Sequence, residues 1–292
     1  MSTDAPETYA PTLTIIVPTR NESKNIFPLL ERLSSSLDSA AVVLFVDDSD
    51  DETPAVVEEA RGCGFSRLEV RLLHRQGLER TGGLGGAVLA GLARTSTPWV
   101  CVMDGDLQHP PERVASLLEA GISYKADLVV GSRYVAGGRN EGLGAVRTAV
   151  SLGSTVLAKA VFPRRLRGIH DPMSGFFLFR RDAVTEPMTP RGFKILLEIA
   201  VRHPELVKRE VPFVFVERTA GTSKGTFKEG LRFLRLLADM RWSLRRRHPA
   251  RPAPSIFDSP AAYDAALYED RVIGTDQLQP TGPGIHTHDE TL

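Results

Sequence analysis

Three short apolar runs, each stopping abruptly at proline or aspartate, constrain this chain more than any other feature. Leu13–Val17 stops at Pro18, Ala41–Val46 at Asp47-Asp48, and Trp99–Met103 at Asp104. Continuous apolar runs of this length read as strands buried on both faces. Between them the spacing changes. Ile26, Leu29, Leu30 and Leu33 recur at helical intervals within Lys24–Leu37, and Thr53 followed by Pro54 reads as the N-cap and first turn of a helix reaching Ala60. Leu68–Leu73 and Asp127–Val130 read as further strands, and Gly85–Ala93 and Pro111–Leu118 as helices. Strands alternating with helices predict a doubly wound α/β sheet. Such sheets bind ligands at the carboxyl ends of their strands, which is where the acids stand.

The third run leads into Asp104-Gly105-Asp106-Leu107-Gln108. Two carboxylates two residues apart suit a hard divalent cation that keeps several waters and also holds a phosphate. Gln108 adds a third oxygen; His109 either completes the set or packs the helix start after Pro110-Pro111. Asp47 and Asp48 end a second strand and can converge on the same crevice, while Asp48, Asp50 and Asp51 also suit a turn. Arg133, after a strand, can fork onto phosphate oxygens or form a surface ion pair. Arg218 and Lys224 bracket a loop of glycine and hydroxyl residues that makes either a phosphate clamp or a solvated turn. The glycines of Gly82-Gly83-Leu84-Gly85-Gly86 do not complete a dinucleotide fingerprint, because Val88 stands where the third glycine belongs. Close helix packing is the plainer reading.

The second half is less regular. Gly137–Gly144 reads as a mobile loop, Ala145–Val161 and Phe193–Val201 as helices, and Gly175–Phe179 and Val211–Val216 as strands. Phe227–Leu244 reads as a basic amphipathic helix; from Lys224 to Arg247 there are eight Lys/Arg against two acids. Such a helix either lies in an anionic membrane interface or packs on the domain with a solvated cationic face. Lys plus Arg equals Asp plus Glu, 36 each, so no global charge points to nucleic acid. Cys63 and Cys101 cannot form a disulfide framework, and Cys101 reads as a buried small hydrophobe. No signal peptide and no 18-residue apolar run is seen, which suggests a cytosolic or peripheral chain; with the basic helix on a membrane, the expected place is cytoplasmic, peripheral at the inner face of the cell membrane. His286 and His288 in the polar tail read as fortuitous spacing.

Taken together, Ile15-Ile16-Val17-Pro18-Thr19-Arg20-Asn21-Glu22, Val46-Asp47-Asp48-Ser49 and Asp104–Pro111 resemble glycosyltransferase family 2. Gly131-Ser132-Arg133-Tyr134 and Ser174-Gly175-Phe176 extend the likeness. Gly192–Glu198 and the Arg218/Lys224 pair make the chain similar to the polyprenol (dolichol) phosphate mannosyltransferase branch. The resemblance covers residues 12 to 245 and implies a GT-A (Rossmann-like) α/β fold: a mixed, mainly parallel sheet flanked by helices, with the C-terminal basic amphipathic helix. With the polar N-terminus read as disordered at 1–11, the organisation expected is a catalytic domain at 12–225, the basic helix at 226–248 and a polar tail at 249–292; the tail, rich in proline, glycine and polar residues, reads as disordered or loosely docked and is not explained by the resemblance.

The resemblance also implies roles. Pro18, Arg20, Glu22, Asp47, Asp104 and Gly105 would bind the nucleotide sugar. Asp104, Asp106 and Gln108 would hold Mg²⁺ or Mn²⁺, and Arg133, Arg218 and Lys224 would hold the acceptor phosphate or the donor diphosphate. Asp104, Asp106, Arg133, Arg218 and Lys224 make up the catalytic set, with Asp171 or Glu198 available to orient the acceptor. The implied reaction is metal-dependent inverting transfer of a hexose, mannose from GDP-mannose first, to a polyprenyl monophosphate. Transfer from UDP-glucose or UDP-N-acetylglucosamine is the same chemistry with another donor. A sugar nucleotidyltransferase would want glycines after the first strand, where Thr19-Arg20-Asn21-Glu22 stands, and a non-catalytic membrane-surface protein would not need the acidic and basic sets. One segment departs from the family: Asp48-Ser49-Asp50-Asp51-Glu52-Thr53 lacks the usual Asn-Ser-x-Asp-Gly-Thr form.

Overall fold

The computed structural model describes residues 10–141, 144–185, 188, 194–216 and 227–245. The expected disordered tail, 249–292, and most of the N-terminal segment lie outside the described residues. In chain order the elements are β1 (Leu13–Thr19), α1 (Ile26–Ser36), β2 (Ala41–Asp47), α2 (Thr53–Cys63), β3 (Leu68–His74), α3 (Gly83–Leu92), β4 (Trp99–Val102), α4 (Arg113–Ser123) and β5 (Leu128–Ser132). Then follow β6 (Arg139–Asn140), α5 (Ala145–Val161), β7 (Phe177–Arg180), α6 (Ile195–Arg202), β8 (Lys208–Pro212), β9 (Val214–Phe215) and α7 (Phe227–Arg245).

Seven strands form one sheet in the order β3-β2-β1-β4-β7-β5-β8. Only β7 runs antiparallel, between β4 and β5. Side chains alternate across the sheet and build two cores. Ile16, Leu44, Val46, Val100, Val102, Val130 and Phe177 face α3, α5, α6 and α7. Ile15, Val17, Val43, Phe45, Cys101, Met103 and Phe176 face α1, α2 and α4. Every residue of β1 and β2 is buried, as their largely apolar sequences require. The helix α7 packs on the domain through Phe233, Leu236, Leu237 and Met240.

The topology positions the crevice. The chain winds β1-β2-β3 to one side of β1 and then places β4 on the other. The carboxyl ends of β1, β2, β4 and β5 all point to one edge of the sheet, and β1 and β4 flank the switch point, where sheets of this kind bind ligands in a crevice.

Three expectations need correction. Gly137–Gly144 is not loop throughout, since Arg139-Asn140 pairs in parallel with Val214-Phe215 as a second, two-stranded sheet. Val211–Val216 is not one strand: β8 pairs with β5, and the chain leaves that sheet at Phe213 before β9 begins. Thr53 is not the cap of α2. Asp51 Oδ1 accepts from the Thr53 N–H at 3.0 Å and from its hydroxyl, and Thr53 Oγ1 accepts from the Glu22 N–H at 3.0 Å. An ionised carboxylate two residues ahead is the stronger acceptor for the first-turn amide.

Candidate active site

The loop after β4 carries the acids into the crevice. Asp104 keeps 36 % of its side chain exposed, whereas Asp106 is buried. Asp106 Oδ1 accepts from the Gln108 N–H at 3.1 Å, closing a tight turn over Leu107, whose φ of 62° lies in the left-handed region. That conformation costs a residue with a Cβ about 1 kcal/mol or more, and the turn imposes it. Gly105 packs under β1: a Cβ there would meet Thr19 Cγ2 at 3.0 Å and Val17 Cγ1 at 3.3 Å.

His109 sits beneath Asp104. Its Nδ1 accepts the Asp104 backbone N–H at 3.1 Å, which leaves the ring proton on Nε2. Burial pushes its pKa down to about 4, against the pull of Asp106, so the ring is neutral and its 3.6 Å approach to Asp104 Oδ2 is not an ion pair. It stacks on Phe176 at 5.3 Å and meets Phe213 and Phe215 edge-on. Of the two expected roles the geometry shows the second, packing at the helix start, with the addition that His109 holds the Asp104 backbone.

Among the described residues no group of three or more His, Cys, Asp or Glu can hold a metal ion by itself. A cation such as Mg²⁺ that takes one or two carboxylates, waters and substrate phosphates has no need of such a cage, so Asp104 and Asp106 fit it. Gln108 commits its amide Nε2 to the Val216 carbonyl at 2.9 Å, so only its Oε1 is of the atom type that would meet the ion. The site also has a cradle. A Cβ on Gly175 would stand 3.3 Å from both Asp104 Oδ2 and His109 Cε1, inside the space in front of the carboxylate.

On the other side of β1, Asp47 is fully buried. It accepts from Thr19 Oγ1 at 2.7 Å, from the Ser49 hydroxyl at 2.5 Å and from the Ser49 N–H at 3.2 Å, and it meets His74 Nδ1 at 2.8 Å. Its carboxylate ties the ends of β1, β2 and β3 together. Asp48 forms a buried bidentate pair with Arg75, at 2.8 and 2.6 Å. Arg80 reaches back to Asp50 at 2.6 Å and to the Ser49 carbonyl at 2.7 Å. These contacts shape a cavity of about 380 Å³ lined by Ser49, Asp50, Asp51, His74 and Arg80. His74, Arg75 and Arg80 were missed in the sequence, because their partners lie about thirty residues away and no local motif marks them. Pro18 is buried in β1, Arg20 is exposed at the rim, and Glu22 is half-buried, accepting from Asn25 Nδ2.

Arg133 follows β5. Its fork is engaged on buried Asp171, Nε to Oδ2 and Nη2 to Oδ1, both at 2.8 Å. The guanidinium lies 5.2 Å from the Tyr134 ring centre and 5.5 Å from that of Phe215. Burial works against its charge, but the hydrogen bonds to Asp171 and that carboxylate's charge outweigh it and raise the Arg133 pKa further. Phe215 also touches His109, so Arg133 shares an aromatic wall with the acidic loop. Glu198 is buried in α6 and paired with Arg202 at 2.8 Å. Arg218 and Lys224 lie outside the described residues.

Comparison with known proteins gives a consistent picture. Residues 14–186 match the family described as glycosyl transferase family 2. The dolichol-phosphate mannosyltransferase of Pyrococcus furiosus is 36 % identical over 234 residues, 79 % of this chain; the match spans only 64 % of that protein's length. The dolichol-phosphate mannosyltransferase of Saccharomyces cerevisiae is 34 % identical over 241 residues, 77 % of this chain and 85 % of its own. A glucosyl-3-phosphoglycerate synthase from Mycobacterium tuberculosis, solved with Mn²⁺, UDP-glucose and phosphoglyceric acid, superposes with a TM-score of 0.57 over 80 % of this chain and 79 % of that one. At 20 % identity, that is a likeness of fold.

Proposed function

The chain belongs to glycosyl transferase family 2, and from that premise we propose that it transfers a hexose, mannose from GDP-mannose, to a polyprenyl monophosphate with inversion at the anomeric carbon. The observation that carries this reading is the Asp104-Gly105-Asp106 loop at the switch point between β1 and β4, with one carboxylate facing the crevice and the other bracing the turn. The names of the archaeal and yeast relatives supply the lipid acceptor.

In this reading Asp104 and Asp106, with Gln108 Oε1, hold Mg²⁺ or Mn²⁺. The cation, when bound, supplies charge neutralisation on the leaving nucleoside diphosphate. Pro18, Arg20, Glu22 and Gly105 line the nucleotide site. Asp47 serves that site by fixing Thr19, Ser49 and His74. Arg133, Arg218 and Lys224 meet the acceptor phosphate or the donor diphosphate and stabilise charge as it moves between them. An acceptor phosphate oxygen attacks the anomeric carbon as the bond to the diphosphate oxygen breaks. A phosphate monoester has a second pKa of about 6, so near neutral pH it needs positioning more than deprotonation.

A lipid acceptor needs a membrane surface. No helix among the described residues is long and apolar enough to cross one. The reading rests instead on two outward faces. On α7 the residues Leu231, Leu234 and Trp242 are exposed, with Arg232, Arg235, Arg241 and Arg245 exposed beside them. On α5 the exposed residues Val150, Leu152, Val156 and Leu157 are apolar. Arg241 donates to the Val161 carbonyl at the end of α5, which joins the two helices. An apolar ridge flanked by arginines suits the interface of an anionic leaflet, with the catalytic domain on the cytoplasmic side.

The test is a transfer assay with purified chain, Mg²⁺, polyprenyl phosphate and a panel of labelled GDP- and UDP-sugars. Label from GDP-mannose in the lipid extract is the expected result. Label from UDP-glucose or UDP-N-acetylglucosamine instead would change the donor, and transfer to soluble acceptors alone would refute the lipid half.

A further inference from the structure

Glu210, on β8, lies outside the set that family motifs assign, yet its side chain is only 5 % exposed. It is committed at both oxygens. Oε1 accepts from the Asp171 N–H at 3.1 Å, and Oε2 accepts from the His170 N–H at 2.9 Å and lies against His170 Nδ1. A buried carboxylate is costly unless hydrogen-bonded, and here its bonds go to two successive amides of a segment without regular structure. The His170-Asp171 segment is thus clamped to β8. Register carries the clamp toward the crevice: Glu210 stands opposite Val130 and Pro212 opposite Ser132, the residue before Arg133.

What the clamp holds is Asp171, which gives both oxygens to Arg133. In addition to the two fork bonds, Asp171 Oδ2 accepts the Arg133 backbone N–H at 3.2 Å. Among the described residues nothing bonds Arg133 Nη1. The guanidinium is therefore held on one edge by Asp171 and bounded by Tyr134 and Phe215, with its side chain 8 % exposed.

We propose that Glu210 is a positioning residue for the transfer reaction: by clamping the His170-Asp171 segment it fixes the pose in which Asp171 presents Arg133 to the anionic groups of the substrates. This rests on the reading of Arg133 as an anion contact. Glu210 touches no substrate; its effect passes through two hydrogen-bonded steps. Misplacing a charged group by about 1 Å can cost about 100-fold in rate.

The experiment compares Glu210→Ala, Glu210→Gln, Arg133→Ala and the double variant Glu210→Ala/Arg133→Ala with the wild type. Expected for Glu210→Ala is a fall in kcat of about 10- to 100-fold with little change in KM for the nucleotide sugar. Glu210→Gln, which keeps one of the two acceptors, should fall less and carries the test if the alanine variant does not fold. The double variant should be no slower than Arg133→Ala, because residues acting through one another are not additive. Losses that multiply, or an unchanged kcat in both Glu210 variants, would overturn the proposal. A second readout is independent of activity: the Arg133 Nε–H NMR resonance should exchange slowly in the wild type and faster in both variants, and an unchanged resonance overturns the proposal as well. If the wild type transfers no sugar from any donor, the functional reading fails while the NMR comparison still decides the positioning.

Discussion

Replacing Asp47 by alanine removes the shared acceptor of three buried donors: the Thr19 hydroxyl, the Ser49 hydroxyl and the Ser49 N–H. Thr19 and Ser49 are themselves buried, so water reaches these donors poorly. An unpaired buried donor costs about 1–3 kcal/mol. His74, 24 % exposed, can be resolvated and adds little. Removing a fully buried carboxylate returns part of its desolvation cost, so the net loss is about 3 kcal/mol. At about 2–4 °C per kcal/mol for a domain of this size, the melting temperature should fall by roughly 10 °C. Urea unfolding gives the free energy, and calorimetric titration with a nucleoside diphosphate and Mg²⁺ gives binding. The account predicts a large stability loss, with binding weakened because the β1–β2–β3 edge loosens. A stability change under about 1 kcal/mol together with abolished binding would refute it, and would make Asp47 a direct nucleoside contact.

Asp104→Asn, at a partly exposed position, should leave the melting temperature within about 2 °C while transfer falls at least about 100-fold, measured with Mg²⁺ saturating; chelation of the wild type should match it. Gly175→Ala puts a methyl group 3.3 Å from Asp104 Oδ2, so Mn²⁺ affinity followed by EPR should drop about 10-fold with little loss of stability. His109, pushed down to about 4 by burial, is neutral in the fold and protonates in the unfolded chain below about 6.5. Its contribution to stability is present above pH 6.5 and is lost as pH falls toward 4, about 2 kcal/mol by pH 5. His109→Phe should remove that part of the acid sensitivity in urea titrations. Replacing Val156 and Trp242 by serine should weaken flotation with anionic vesicles about 10-fold or more; equal flotation would move the membrane face elsewhere.

The sequence was most legible where the physics is local. Leu13–Val17 and Ala41–Val46 could be read as strands because a run buried on both faces needs no knowledge of its neighbours. The acids at their ends then followed the geometry of any α/β sheet. Strand order was not legible in the same way. Phe177–Arg180 inserts antiparallel between β4 and β5, a choice made by contacts some fifty to eighty residues distant. The apolar stretch Val211–Val216 conceals a change of sheet at Phe213, because both pieces are apolar and their composition does not record which strand each pairs with.

Roles of single charged residues were the least legible. Asp47 and Arg133 stand at strand ends, where ligands bind, and composition alone cannot tell a residue that faces the crevice from one that builds its wall. Asp171, thirty-eight positions away, engages the Arg133 fork. Ser49 and His74 do the same for Asp47. The outer face of α5 was visible in principle, since Val150, Leu152, Val156 and Leu157 cluster on one side at helical spacing, but nothing in the sequence says which face of a helix meets the domain.

Cation-assisted inverting transfer to a lipid phosphate leaves its signature in the product. The chain is incubated with an α-configured GDP-mannose, Mg²⁺ and polyprenyl phosphate, and the lipid product is isolated and its anomeric configuration read by NMR. The account predicts a β-linked hexosyl phosphate, formed with Mg²⁺ and absent with chelator or in Asp104→Asn. An α-linked product, or undiminished transfer in chelator, would contradict it.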